Sequence, residues 1–311
     1  MIPAGRKLKR RNVVRVAAAY GIVSIFLFGS VEAQDLEPRR YVNVPVSQNF
    51  IRVAYGYSEG EVNTSPSLPL EDAFLTMHGG SLSYLRTMSI AEKAASFDAF
   101  VPYFCASGRV VLDGERQPGN VCGSGDARLR ITYNFVGAPA MTLSEFVKQE
   151  KELVVGASLQ LYIPSGQYDA NRLLNIGANR WVIRPELGMS IPWRKWSFEF
   201  AAGARFFTDN DEFVGNVVLE QDPLYNLQAH LVYDLTPRQW ISLDGNYFFG
   251  GVTYQDSVET PTRQENARLG LNWAVALNSK HLLRLAAHWG VITRVGNDSD
   301  NYSVAWTYRW D

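Results

Sequence analysis

The residues with the capacity for chemistry in this chain recur two apart, and most sit between apolar neighbours. Arg128 and Arg130, Arg180, Arg184 and Glu186, Glu199 and Arg205, His230 and Asp234, Asp244, Arg268, and Arg284 and His288 follow this rule, with Arg52 and Arg309 in the same phase. A guanidinium forks onto a carboxylate and stacks on an aromatic face. On one shared surface such residues either line a polar passage and sort what enters it, or pair with one another and fill the space between them. The sequence leaves both readings open. Nucleophilic catalysis is not supported, because no serine stands at a readable distance from His230 or His288, which read as hydrogen-bonded structural residues. The run Thr208-Asp209-Asn210-Asp211-Glu212 is rich in oxygen ligands but lacks the spacing and glycine of a calcium loop. Cys105 and Cys122 have no neighbouring histidines to complete a zinc site, and the Gly-Gly pairs at 79–80 and 250–251 are not placed to cradle a phosphate. No metal or cofactor is expected.

A period of two belongs to strands. In the stretch from Arg180 to Phe207, Trp181, Ile183, Pro185, Leu187, Met189 and Ile191 alternate with Arg184, Glu186, Gly188 and Ser190. After the tight Pro192-Trp193-Arg194-Lys195 connection, Trp196, Phe198 and Phe200 alternate with Ser197, Glu199 and Ala201. Each arm runs to roughly ten residues, about what crosses a bilayer at a tilt and longer than the usual soluble strand. One face is apolar with aromatic ends and the other carries charge of both signs, an arrangement tolerated inside a membrane barrel but not in a sandwich core. The same alternation marks about twelve segments, from Phe50–Tyr57 to a last strand ending in Trp310. Short connections (PWRK, TPRQ, NSK) alternate with long ones, as periplasmic turns and external loops do. The sequence therefore predicts an all-β protein, a transmembrane antiparallel up-and-down β-barrel with both ends on the periplasmic side. Thr142-Leu143-Ser144-Glu145 fits a capping box and predicts one short periplasmic helix. Gly79-Gly80 interrupts the second strand and suggests a bulge. Residues 34–48 read as a periplasmic lead or a segment tucked into the barrel mouth.

The mean hydropathy of −0.14 is ordinary for a barrel, whose lipid-facing and lumen-facing residues cancel. The basic cluster Arg6 to Arg15, the apolar stretch Val16–Phe28 and Val31-Glu32-Ala33 have the form of a cleaved export signal, residues 1–33, preceding a single domain over 34–311. Its removal takes six basic residues and Glu32 from 30 basic and 31 acidic residues, leaving 24 and 30 and a net charge of −6. An acidic chain is a poor partner for nucleic acid. Export also permits Cys105 and Cys122 to pair, closing the Gly- and Pro-containing segment between them into an external loop.

Several stretches resemble the outer-membrane transporter family named for the MetA pathway of phenol degradation: RYVNVPVSQNFIRVAYGY, SGDARLRITYN, GASLQLYIPSGQYDANRLLNIGANRW, EQDPLYNLQAHLVYDL and the terminal YRW. The resemblance implies a barrel in the bacterial outer membrane, in contact with its lipid and lipopolysaccharide and delivered by the barrel assembly machinery. It further implies uptake of a small aromatic or hydrophobic permeant rather than enzymatic turnover. A closed-lumen barrel serving as a structural anchor or membrane-embedded enzyme is the alternative. On the transport reading, Arg128, Arg130, Arg180, Arg184 and Arg205 are expected to form a basic wall that Glu186 and Glu199 only partly neutralise.

Overall fold

The computed structural model describes residues 36–63, 70–112, 115–172, 174–213 and 217–311, so the expected export signal lies outside the described residues. The strands are β1 (Asn49–Asn63), β2 (Leu70–Ile90), β3 (Lys93–Leu112), β4 (Glu115–Ser124), β5 (Ala127–Val136), β6 (Val154–Ile163), β7 (Val182–Trp193), β8 (Trp196–Phe207), β9 (Asn210–Phe213), β10 (Val217–Gln221), β11 (Leu224–Thr236), β12 (Gln239–Gly250), β13 (Thr253–Gln255), β14 (Val258–Thr260), β15 (Gln264–Ala276), β16 (His281–Thr293) and β17 (Gly296–Trp310); the helix α1 is Leu143–Phe146. Twelve of them, β1, β2, β3, β5, β6, β7, β8, β11, β12, β15, β16 and β17, pair antiparallel in chain order. The ring closes between β1 and β17, with Asn49 opposite Trp310 and Asn63 opposite Gly296. Closure leaves the barrel no free edge, which a lipid environment demands because an unpaired backbone group finds no water there.

Burial is inverted relative to a soluble protein. Leu187, Tyr103 and Leu227 are 60%, 57% and 51% exposed, whereas Arg184 and Glu186 are 0% and 3% exposed. The period-two alternation thus turns apolar side chains outward and charged ones inward. Aromatic girdles mark both rims: Trp306, Tyr308 and Trp310 stack in a row with His281 and Tyr84 at one end, and Tyr225, Tyr247 and Phe249 stack at the other.

The remaining strands lie in segments that the sequence presents as loops. β9, β10, β13 and β14 form a small sheet of their own, and β4 continues the pairing of β3 beyond the barrel. Cys105 and Cys122 are bonded directly across this β3–β4 hairpin, so the disulfide ties two strands rather than closing an irregular loop. At Gly79-Gly80 the expected bulge is absent: Tyr55 faces Gly80 and Gly56 faces Gly79 in unbroken register. Glycine is required at 79 for closeness, since a Cβ there would lie 2.2 Å from the Tyr103 carbonyl oxygen. β2 accordingly turns Ser81, Ser83 and Leu85 inward with their partners Ala54, Arg52 and Phe50. The expected capping box is present on α1, with the Glu145 N–H donating to the Thr142 hydroxyl and the Thr142 N–H to the Glu145 carboxylate.

Candidate functional site

The N-terminal segment from Leu36 to Gln48 enters the lumen and crosses it. Its first residue described, Leu36, rests at Gly270 beside His288, and its carbonyl accepts a hydrogen bond from Arg284 Nη2 at 3.1 Å. Glu37 accepts from Arg130 Nη1 at 2.6 Å and also pairs with Arg40 and Arg128. The Arg39 N–H donates to Glu199 at 2.6 Å, while its guanidinium pairs with Asp234 and lies over the Trp240 ring. Arg40 pairs with Glu186, and the Tyr41 hydroxyl donates to Glu186 at 3.0 Å and lies 3.0 Å from the Ser158 hydroxyl. The Tyr41 ring occupies a notch cut by inward glycines: a Cβ at Gly188 would come within 2.1 Å of it and one at Gly156 within 2.9 Å.

The segment leaves the lumen by way of β2 and the β5–β6 connection. Asn134 donates to the Val42 carbonyl, Asn43 to Gln149, and the Val46 N–H to the Met141 carbonyl, while Thr87 bonds the backbone at Pro45, Ser47 and Gln48. Beneath the rim, Val44 and Val46 pack on Ala94, Ala138 and Val154. Of the two readings of residues 34–48, the segment tucked into the barrel is therefore the one observed, over its described part.

The plug does not fill the barrel. Between it and the wall of β1, β2, β16 and β17 lies a cavity of about 480 Å³, within the range of small-molecule sites. Its position follows from side-chain size. Ala54, Gly56, Gly79, Ser81, Ser83 and Ala305 face inward on this side and leave room, whereas Arg184, Gln160 and Glu186 crowd the opposite side.

The polar residues singled out in the sequence, Arg52 and Arg309 aside, fall into three groups by their partners. Arg184 and Glu186 form a fully buried pair at 2.7 Å, and Glu186, Glu199 and Asp234 hold the plug. Arg128 and Arg130 share Asp98 and Glu37, so their charge is already answered within the protein. His230 Nδ1 lies 2.7 Å from Asp244, which also accepts from Ser242 at 2.8 Å and Asn272 at 2.6 Å. Arg284 donates to Asn272 at 2.8 Å and, with His288, lines the cavity.

A third group stands toward the strand ends opposite the PWRK, TPRQ and NSK turns. Arg268 donates to the carbonyls of Asn297 and Ser299, and Arg205 lies over the Phe248 ring. Arg180 precedes β7, stacks on Phe207 at 4.5 Å and bonds Gln221. Burial pulls its guanidinium down to about 10 against the attraction of Asp209 and Asp126. Of the five arginines expected on one wall, Arg130 and Arg184 both face Gln160 across the β5–β6–β7 ladders, Arg205 adjoins Phe206, the partner of Ile183, Arg128 stands two residues along β5 from Arg130, and Arg180 precedes β7.

Sequence reasoning did not single out the plug's Glu37, Arg39, Arg40 and Tyr41, nor Asp98 and Trp240 inside the barrel. One available signal was the set of inward-phase glycines at 156, 188 and 270, which mark where another chain segment approaches the wall.

Residues 63–308 match the sequence family described as "Putative MetA-pathway of phenol degradation". Among solved structures, the COG4313 outer membrane channel from Pseudomonas putida F1 superposes with a TM-score of 0.76 over 89% of this chain and 100% of that one, at 20% identity. The transport unit of the autotransporter AIDA-I from Escherichia coli gives 0.56 at 8% identity, covering 94% and 98%. The β domain of the Bordetella autotransporter BrkA gives 0.51 at 13% identity, covering 85% and 100%. At these identities the likeness is one of fold. No curated protein matches the chain in sequence. The family match spans most of the chain and the barrel is of the outer-membrane type, so this protein belongs to the MetA-pathway phenol-degradation family of outer-membrane β-barrels.

Proposed function

We propose that the protein is a passive channel of the bacterial outer membrane for small aromatic or hydrophobic molecules. The observation that carries this reading is the cavity left beside the plug, which reaches from the turn residues Asn278, Ser279 and Lys280 up to Gly56, Gly79 and Phe104. It combines arginines with the apolar surfaces of Phe50, Leu85 and Phe100, a lining suited to a permeant that is part apolar and part polar. The phenol-degradation pathway for which the family is named, and the P. putida outer membrane channel that shares the fold, support the same reading. Turnover is not favoured by the geometry, because the Ser242 hydroxyl donates to Asp244 instead of facing His230, the reverse of the order a nucleophile and its base require. On this reading residues 1–33 direct export, and the assembly machinery receives the terminal strand ending Tyr308-Arg309-Trp310. Membrane lipid and lipopolysaccharide surround the aromatic girdles.

The test is uptake of labelled phenol into liposomes bearing the folded protein, compared with protein-free liposomes, together with planar-bilayer conductance. Protein-dependent uptake is expected. Uptake no faster than in protein-free liposomes, with no conductance, would remove the channel reading.

A further inference from the structure

Among the cations that line the cavity, the arginines divide into two sets. Arg39, Arg40, Arg128 and Arg130 are answered by Asp234, Glu186, Glu37 and Asp98. Arg52 on β1, Arg284 on β16 and Arg309 on β17 have no carboxylate at salt-bridge distance among the described residues. Arg52 donates only to the Thr307 hydroxyl, at 3.3 Å; Arg284 donates to Asn272 and the Leu36 carbonyl; the buried Nε of Arg309 has no hydrogen-bond partner there. These strands are adjacent in the order β1, β17, β16, and the pairs Arg52–Thr307 and Arg284–Ala305 stand in neighbouring inward rows. Two strand spacings separate β1 from β16, about 10 Å, so the two long side chains converge over Thr307 and Ala305. Arg284 feels the repulsion of Arg52 and Arg40 together with the attraction of Glu37 and Asp244, neither of which contacts it. His288, on the same wall, carries a buried Nε2 that likewise lacks a partner among the described residues.

A partly buried group of like charges with no carboxylate in contact is costly unless something supplies the opposite charge. The alanines and serines that open the cavity leave space for that group, and Phe50 and Leu85 face inward beside Arg309 and Arg52, offering an apolar surface next to the cations. We propose that Arg52, Arg284 and Arg309, with the Thr307 hydroxyl, form a binding site for the carboxylate of a small aromatic monoanion whose ring lies against Phe50 and Leu85. The inference rests on the channel reading and narrows it to anionic permeants held on the β16–β17–β1 wall. That wall is distinct from the one built by Arg128, Arg130 and Arg184.

The experiment is equilibrium dialysis of labelled benzoate against the folded full-length protein in detergent, with neutral phenol and cationic benzylamine as competitors. Benzoate is expected to bind saturably and to resist both competitors. The R52Q/R284Q variant is expected to lose about tenfold or more in affinity, since each guanidinium contributes a charge-assisted hydrogen bond. Wild-type protein that fails to bind benzoate, or yields it to benzylamine as readily as to unlabelled benzoate, overturns the proposal without reliance on any variant. A variant that shows the heat-modifiable mobility of a folded barrel and binds benzoate unchanged overturns it as well. Phenol uptake into liposomes separates the two readings. If benzoate binding fails while phenol uptake persists, the channel stands without this site; if binding holds while nothing is taken up, the site stands without the channel.

Discussion

At the scale of single residues, the occupant of the lumen is specified by absences as much as by side chains. Tyr41 reaches Ser158 and Glu186 because positions 156 and 188, inward on neighbouring strands β6 and β7, carry no Cβ. Gly188 is the sharper case, since a methyl group there would overlap the Tyr41 ring at 2.1 Å, far inside van der Waals contact. Gly188→Ala is therefore expected to expel Tyr41 while leaving every charge in the lumen in place. Loss of a buried aromatic contact costs about 3 kcal/mol, so the plug is expected to loosen while the barrel, closed by its own ladder, stays intact. Single-channel conductance above wild type with unchanged heat-modifiable mobility is the predicted outcome. Equal conductance would show that the Tyr41 contact does not hold the plug.

At the scale of elements, the barrel strands were legible because lipid on one side and polar lumen on the other impose a period of two that no soluble core would enforce so evenly. Strand β5 shows this directly: Leu129, Ile131 and Tyr133 alternate with Arg128, Arg130 and Thr132, and the latter three are buried in the lumen. Above the membrane that constraint ends, and legibility ends with it. The segment between Cys105 and Cys122 contains Gly and Pro and reads as a loop, yet its backbone continues the β3–β4 ladder, with Gly108 facing Gly119 and Arg109 facing Pro118. Pairing there is dictated by the partner strand and the cross-link, neither of which local propensity reports. A disulfide of this loop size contributes about 2–4 kcal/mol. Because the bond lies within one hairpin, and Cys105 meets the barrel only through its backbone pairing with His78 in a long β2–β3 ladder, its removal in the double variant Cys105→Ser, Cys122→Ser is expected to leave barrel mobility on SDS gels unchanged. Limited proteolysis is expected to cut faster between residues 106 and 121. A barrel that no longer resists SDS in this variant would show that the hairpin is needed for closure.

At the scale of the whole molecule, the lumen is an electrostatic compromise between a wall and a plug that meet only in the folded state. The wall's charges could be read from strand phase, but their partners could not, since Glu186 and Arg40 are 146 residues apart and Asp234 and Arg39 are 195 apart. The plug contributes Glu37, Arg39 and Arg40, a net charge of +1, and its distribution is uneven. Arg39 and Arg40 stand against the acidic side of the barrel, at Asp234, Glu199 and Glu186, while Glu37 stands against Arg128 and Arg130. Deleting residues 36–44 would return both sides to their bare charge. Asp234 would keep Lys151 and Glu186 would keep Arg184, but Glu199 would lose the Arg39 N–H, its shortest hydrogen bond. The arginine pair would still share Asp98. The lumen as a whole would therefore widen and become less positive by one charge, with the largest change on the β7, β8 and β11 side. The expected result is a severalfold rise in single-channel conductance together with a weaker preference for anions, measured as a reversal potential in a salt gradient at low ionic strength, where lumen charges are least screened. Unaltered conductance would place the path of ions away from the plug. A stronger anion preference would show that Glu37, rather than the two arginines beyond it, sets the field that an entering solute meets.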